Sequence, residues 1–169
     1  VGESYFYHLA VSPDGNQVYV QNMRQLLMLQ RDSSSGRLSD CTVLFGSNRF
    51  GVGQNNDGCM RKVSFSPDGN HIYMAAGVAD AGRGAFVTMF ARDPDTGELS
   101  DGAVFNSGTI KVESARVSPD GRNVYAVCSG PASRIARWDR DATNGTLSNR
   151  VVTNVQSLQR VDNLVISND

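Results

Sequence analysis

Phe65-Ser66-Pro67-Asp68-Gly69-Asn70-His71-Ile72-Tyr73-Met74 is the stretch that decides the fold. Proline presets φ for the first corner of a turn, aspartate bonds its own backbone, and glycine takes the left-handed corner. The stretch therefore predicts a hairpin bend between two strands, Lys62 to Phe65 and Ile72 to Met74, whose apolar residues follow a period of two rather than 3.6. The same bend recurs as Val11-Ser12-Pro13-Asp14-Gly15, followed by Val18-Tyr19-Val20. It recurs again as Val117-Ser118-Pro119-Asp120-Gly121, followed by Val124-Tyr125-Ala126. Ser12, Ser66 and Ser118 stand 54 and 52 residues apart, and 49 residues further on Ile166-Ser167-Asn168-Asp169 occupies the place of a next copy.

Working outward, each bend is followed by a third apolar strand: Leu26 to Leu29, Phe86 to Phe90 and Ile135 to Trp138. A second turn then repeats in register, as Arg31-Asp32-Ser33-Ser34-Ser35-Gly36-Arg37-Leu38, Arg92-Asp93-Pro94-Asp95-Thr96-Gly97-Glu98-Leu99 and Arg140-Asp141-Ala142-Thr143-Asn144-Gly145-Thr146-Leu147. The closing Leu begins a short fourth strand. Tyr19, Tyr73 and Tyr125 share one parity of the second strand and aliphatic residues the other, so that strand is covered on both faces. Four antiparallel strands in units of about 50 residues make the blade of a β-propeller. The expectation is an all-β chain, one domain over 1–169, with blades near 5–45, 60–105 and 112–154 and the first strand of a fourth over 161–169. Three blades do not close a ring, which takes about 4–8. Either the polypeptide continues or copies associate, and continuation is the expectation, because each repeat needs a neighbour on both sides.

The balance of 16 Lys and Arg against 17 Asp and Glu leaves no basic stripe to track phosphates, which sets nucleic acid aside as a partner. Runs such as Leu26-Leu27-Met28-Leu29 are too short to span a bilayer, which takes about 20 residues. Three cysteines are too few for a disulfide framework. Cys41 and Cys59 flank one loop and are the pair to bridge; the alternative is that all three, with Cys128, are small buried hydrophobes. Asn144-Gly145-Thr146 is a glycosylation sequon in an expected turn. Asp93-x-Asp95-x-Gly97 lacks the distal Glu of a calcium loop and reads as a hairpin turn. No metal site or cofactor is expected. His71 reads as a loop residue, Trp138 as core, and Arg31, Arg92 and Arg140 as strand-end residues pairing with the neighbouring aspartate.

With both turn signatures in hand, the chain resembles the lactonase-type seven-bladed propellers, the group of 6-phosphogluconolactonase-like, carboxymuconate-cyclising and YVTN-repeat proteins. The resemblance covers nearly the whole chain and is fullest over Arg92 to Leu99; the Gly- and Asn-rich stretch from Gly51-Val52-Gly53 to Asp57-Gly58 resembles an insertion of secreted members. It implies lactone hydrolysis or isomerisation at a central channel by His, Arg and Glu on or above the inner strands. Carried over position by position, it leaves His8, Arg61 and Glu113, from Tyr7-His8-Leu9, Arg61-Lys62 and Glu113-Ser114, as channel-entry candidates; the H-x-H element of the enzymes is absent.

Because those histidines are missing, the first functional expectation is a non-catalytic interaction or structural module, extracellular or at the cell surface, that docks proteins or glycans on a propeller face. The alternatives are a lactonase-like enzyme acting on a sugar or aromatic-acid lactone, and a building block of a surface layer or filament. The partners that complete the ring are further blades of the same chain or other copies of it.

Overall fold

The computed structural model describes residues 6–22, 25–46, 60–76, 85–100, 102–109, 111–129, 132–155 and 163–167. Among them the first blade consists of β1 (Phe6–Val11), β2 (Gln17–Asn22), β3 (Gln25–Arg31) and β4 (Leu38–Gly46). The second is β5 (Met60–Phe65), β6 (His71–Ala76), β7 (Phe86–Ala91) and β8 (Ala103–Asn106), and the third β9 (Lys111–Val117), β10 (Asn123–Ser129), β11 (Arg134–Arg140) and β12 (Leu147–Asn154). Each is a four-stranded antiparallel meander in chain order, with the first strands β1, β5 and β9 lying next to one another as inner strands. These are propeller blades.

The bends form for the reasons their residues predict, with one addition. Ser12 Oγ donates to Asp14 Oδ1 at 2.6 Å and accepts the Gln17 amide at 3.0 Å, so the serine ties both ends of the loop together. Ser66 and Ser118 accept the amides of His71 and Asn123 in the same way, and Gly15, Gly69 and Gly121 sit at φ of 77°, 74° and 71°. In the outer turns Asp93 Oδ1 accepts the amides of Asp95 and Thr96, which spends that carboxylate on a hairpin, as expected.

The core lies between blades. Tyr19, Leu26 and Met28 of the first pack on Val63, Ile72, Met74 and Phe90 of the second; Tyr73, Val87 and Met89 of the second pack on Val112, Val124 and Trp138 of the third. Trp138, 2% exposed, is core as its strand position predicts. Each layer is closed by a repeated polar lock. Tyr19 donates its hydroxyl proton to the Gly97 carbonyl at 2.6 Å while Arg92 Nε donates to the same hydroxyl at 3.1 Å. Arg92 also donates to the Gly69 carbonyl at 2.9 Å, to Asp14 Oδ2 at 2.7 Å and to Gln17 Oε1. Its guanidinium lies over the Phe65 ring, 6.0 Å from the centroid. One blade later the pattern returns: Tyr73 to Gly145 O, and Arg140 to Tyr73, Gly121 O, Asp68 and His71 Nδ1.

Three expectations change. Arg92 and Arg140 do not pair with the aspartate next in sequence, which is occupied in capping its own turn; they reach back to Asp14 and Asp68 of the preceding blade. His71 is no loop residue but the first residue of β6, 4% exposed and bound to Arg140. Leu99 forms only a bridge to Arg92, and the fourth strand of its blade begins at Ala103. Residues 163–167 enter no sheet formed by the described residues. An inner strand takes its ladder from the second strand of its own hairpin, and none follows among the described residues.

Candidate functional site on the inner strands

All three inner strands carry a register shift near their start. The residues left over are Tyr7 in β1, Lys62 in β5 and Glu113 in β9, and Lys62 adopts a φ of 40°. Bulges re-aim side chains and are over-represented beside active sites. At Lys62 the effect is to bring a cation from the second blade to His8 of the first.

His8 lies inside β1 rather than ahead of it. Its Nδ1 accepts the Val63 amide at 3.2 Å, which places the proton of the neutral ring on Nε2. Burial, the Arg116 guanidinium and the Lys62 ammonium hold its pKa down at about 4. At neutral pH it is therefore an uncharged imidazole with an N–H to donate. Arg116, half-buried, donates to the Val63 carbonyl at 3.3 Å, so His8 and Arg116 grip the two sides of one residue of β5. Opposite His8 in the ladder, Gln21 is fully buried, and neither its amide nitrogen nor its oxygen has a hydrogen-bond partner. A buried orphan of that kind costs about 1–3 kcal/mol, a local sacrifice of stability next to the cluster.

Of the residues expected from sequence, His8 is joined by Lys62 and Arg116 rather than by Glu113. Glu113 is 2% exposed and accepts from Ser129 Oγ at 2.5 Å and Lys111 Nζ at 2.8 Å. The backbone of Arg61 pairs with Ala75, and its side chain lies outside what is described. Arg116 escaped the sequence reading, although a charge at an interior position of an inner strand, between Ala115 and Val117, was its signal. Cys41 is exposed on β4 and Cys128 buried, so the reading with all three thiols buried fails at Cys41; Cys59 lies outside the described residues, as does the stretch from Gly51 to Gly58. Asn144 is exposed in its turn, its Oδ1 accepting from Thr146 Oγ1 at 2.6 Å.

The depressed pKa predicts a pH dependence. Between about pH 4 and 6.5 the unfolded chain binds a proton at His8 that the folded chain does not, so stability is retained in full above 6.5 and lost as pH falls through that window. His8 is half exposed, so solvent screening reduces its share to on the order of 1 kcal/mol. His71, also lowered by burial and by Arg140, adds a slope of the same sign. An NMR titration of the His8 ring is expected to give a midpoint near 4, and His8→Gln to flatten the fall in urea midpoint between pH 6.5 and 4.5; a midpoint at or above 6.5 contradicts the geometry.

No family model matches this chain, and no curated protein matches it. Solved structures do. A 6-phosphogluconolactonase candidate from Bacteroides fragilis superposes with a TM-score of 0.74 at 18% identity, over 98% of this chain and 45% of the other. Its counterpart from Bacteroides uniformis gives 0.71 at 18% identity, over 92% and 45%. The periplasmic gluconolactonase of Pseudomonas aeruginosa gives 0.68 at 20% identity, over 89% and 39%. At these identities the likeness is one of fold, and the chain spans less than half the length of each of these proteins.

Proposed function

We propose that the chain carries part of a lactonase-like active site, which opens the ring of a lactone bearing an anionic group. The observation that carries this reading is His8, held neutral by burial and by two cations, with its Nε2–H unengaged among the described residues, on an inner strand. In ring opening, water adds to the lactone carbonyl, the ring C–O bond breaks, and a proton of the water ends on the alkoxide, giving a hydroxy acid. Negative charge develops on the carbonyl oxygen, and donors aimed at that oxygen in a site of low dielectric lower the barrier. In this assignment the imidazole N–H donates to it and Arg116 and Lys62 supply the positive field. The same field draws in an anionic substituent such as a carboxylate or phosphate. The His8 nitrogen that would act as a base is occupied by the Val63 amide, so the general-base role is replaced by that of an electrophile.

That the solved structures above include gluconolactonases favours this reading over the non-catalytic module. Export to the cell surface, glycosylation at Asn144 and docking of glycans stay secondary proposals with no observation of their own. The test is ring opening followed by pH-stat on an anionic sugar-acid δ-lactone and its neutral analogue. His8→Phe is expected to lower the enzymatic rate on both substrates by about 100-fold, the usual cost of one transition-state donor, and Arg116→Gln to lower the rate on the anionic substrate more than on the neutral one. Turnover no faster than buffer alone overturns the proposal.

A further inference from the structure

The chain has two histidines, and each stands at one of the two seams between its three blades. At the first seam His8 Nδ1 takes the amide proton of Val63 in the second blade, at 3.2 Å. At the second, His71 Nδ1 lies 2.9 Å from Arg140 Nη2 of the third blade. A guanidinium only donates, so Nδ1 of His71 accepts, and the proton of its neutral ring stands on Nε2. In both seams the preceding blade supplies a neutral imidazole as acceptor and the following blade supplies the donor.

Neither bond survives a second ring proton, because an imidazolium offers donors only. At His8 the new charge faces the Arg116 guanidinium and the Lys62 ammonium. At His71 it faces Arg140 across the lost bond, with Asp68, Asp141 and the Asn144 backbone pulling the other way. Asp68 already holds Arg140, Asp141 Oδ1 is spent on the Thr143 and Asn144 amides, and the Tyr73 hydroxyl sits on Nε of the same guanidinium. His71 is 4% exposed with its ring packed on Gly145, so it cannot turn its charge out to water. Burial and the neighbouring cations hold both rings below the ordinary imidazole range. The first lock has Gln17 where the second has His71, an acceptor that acid in this range leaves unchanged.

We infer that acid opens the chain along its seams: a proton on His8 or on His71 releases the blade that follows, while each four-stranded meander stays folded. Within a blade the strands are joined by backbone ladders, which do not titrate. Opening the second seam also takes Arg116 off the Val63 carbonyl and so disperses the cationic cluster on the inner strands. The sign follows from the released ring, which titrates at its ordinary value: the open fraction is constant above about pH 6.5 and grows as pH falls below it.

Two amides report the seams separately, because each is donated to a side chain of the neighbouring blade: Val63 to His8 at the first, and Val117 to Ser64 Oγ, at 3.3 Å, at the second. Their hydrogen exchange, followed by NMR and divided by the rate of an unstructured peptide, measures the opening of each seam. Both are expected to exchange faster than ladder amides inside the blades. Between about pH 7.5 and 5.5 the corrected rate at Val63 is expected to rise about tenfold, and that at Val117 to rise with it. His71→Gln, which copies Gln17 of the first lock, is expected to abolish the rise at Val117 and keep that at Val63. His8→Gln, whose side-chain oxygen takes the Val63 proton, is expected to do the converse. The inference is overturned by corrected rates that do not respond to pH, by seam amides that exchange only as slowly as the ladders, or by a rise that survives the loss of its own histidine.

Discussion

Arg92→Ala is expected to lower the free energy of unfolding by about 3–5 kcal/mol, the cost of removing one partner from a buried ion pair. The Arg92 side chain is fully buried, and it serves five acceptors at once: the Gly69 and Pro94 carbonyls, Asp14, Gln17 and the Tyr19 hydroxyl. Tyr19 keeps its bond to Gly97, but Gln17, 1% exposed, loses the cation at its oxygen, and Phe65 loses the guanidinium over its ring. Arg92→Lys is expected to recover only part of the loss, since an ammonium restores the charge but not the planar fork that meets these acceptors together. Arg37→Ala, at an exposed turn position, is expected to stay within about 0.5 kcal/mol. Urea denaturation of the three variants checks the ranking, and an Arg92→Ala protein within 1 kcal/mol of the parent would deny the lock its role.

Gly145→Ala and Gly36→Ala separate two costs that usually arrive together. Both glycines close outer turns at positive φ, 75° and 73°, where an L side chain is strained by about 1–2 kcal/mol. A Cβ on Gly36 meets nothing nearer than Arg31 Nη2 at 4.0 Å, so strain is the whole of its cost. A Cβ on Gly145 would lie 2.3 Å from His71 Cδ2 and 2.8 Å from Cγ, and the ring cannot retreat without releasing Arg140. Overpacking adds about 1–3 kcal/mol, and Gly145→Ala is expected to lose at least twice what Gly36→Ala loses. Equal thermal shifts in the two variants would show that the layer between the second and third blades yields more readily than these distances imply.

The hairpins were legible because the interactions that make them are local: serine, aspartate and glycine act within five residues of one another. The locks were not legible as contacts, since Arg92 and Asp14 are 78 residues apart and Arg140 and Asp68 are 72 apart. Yet four members of the lock stand out in sequence, each for a different reason, aspartate and glycine for their turns, tyrosine for its parity and arginine for its place at a strand end, while Gln17 does not. What sequence withheld was the assignment of each to the gap between units. The cluster around His8 was half visible for a similar reason. It draws one residue from each of three blades, and the bulge at Lys62 interrupts the alternation along β5 from which a face would be read. Arg116 pointed to itself by its charge, but the Val63 backbone that it shares with His8 is 53 residues upstream.

Each lock joins only adjoining units and repeats the same aspartate, tyrosine, arginine and glycine at both junctions, so these four contacts are indifferent to how many units precede or follow. A gene that copies or deletes one repeat leaves every remaining junction chemically complete, because any aspartate-and-tyrosine face accepts any arginine-and-glycine turn. Such events change blade number in one step, without compensating point mutations. The differences between repeats, His71 against Gln17 beside the arginine, and His8, Lys62 and Arg116 on the inner strands, then mark the positions at which one unit cannot stand in for another.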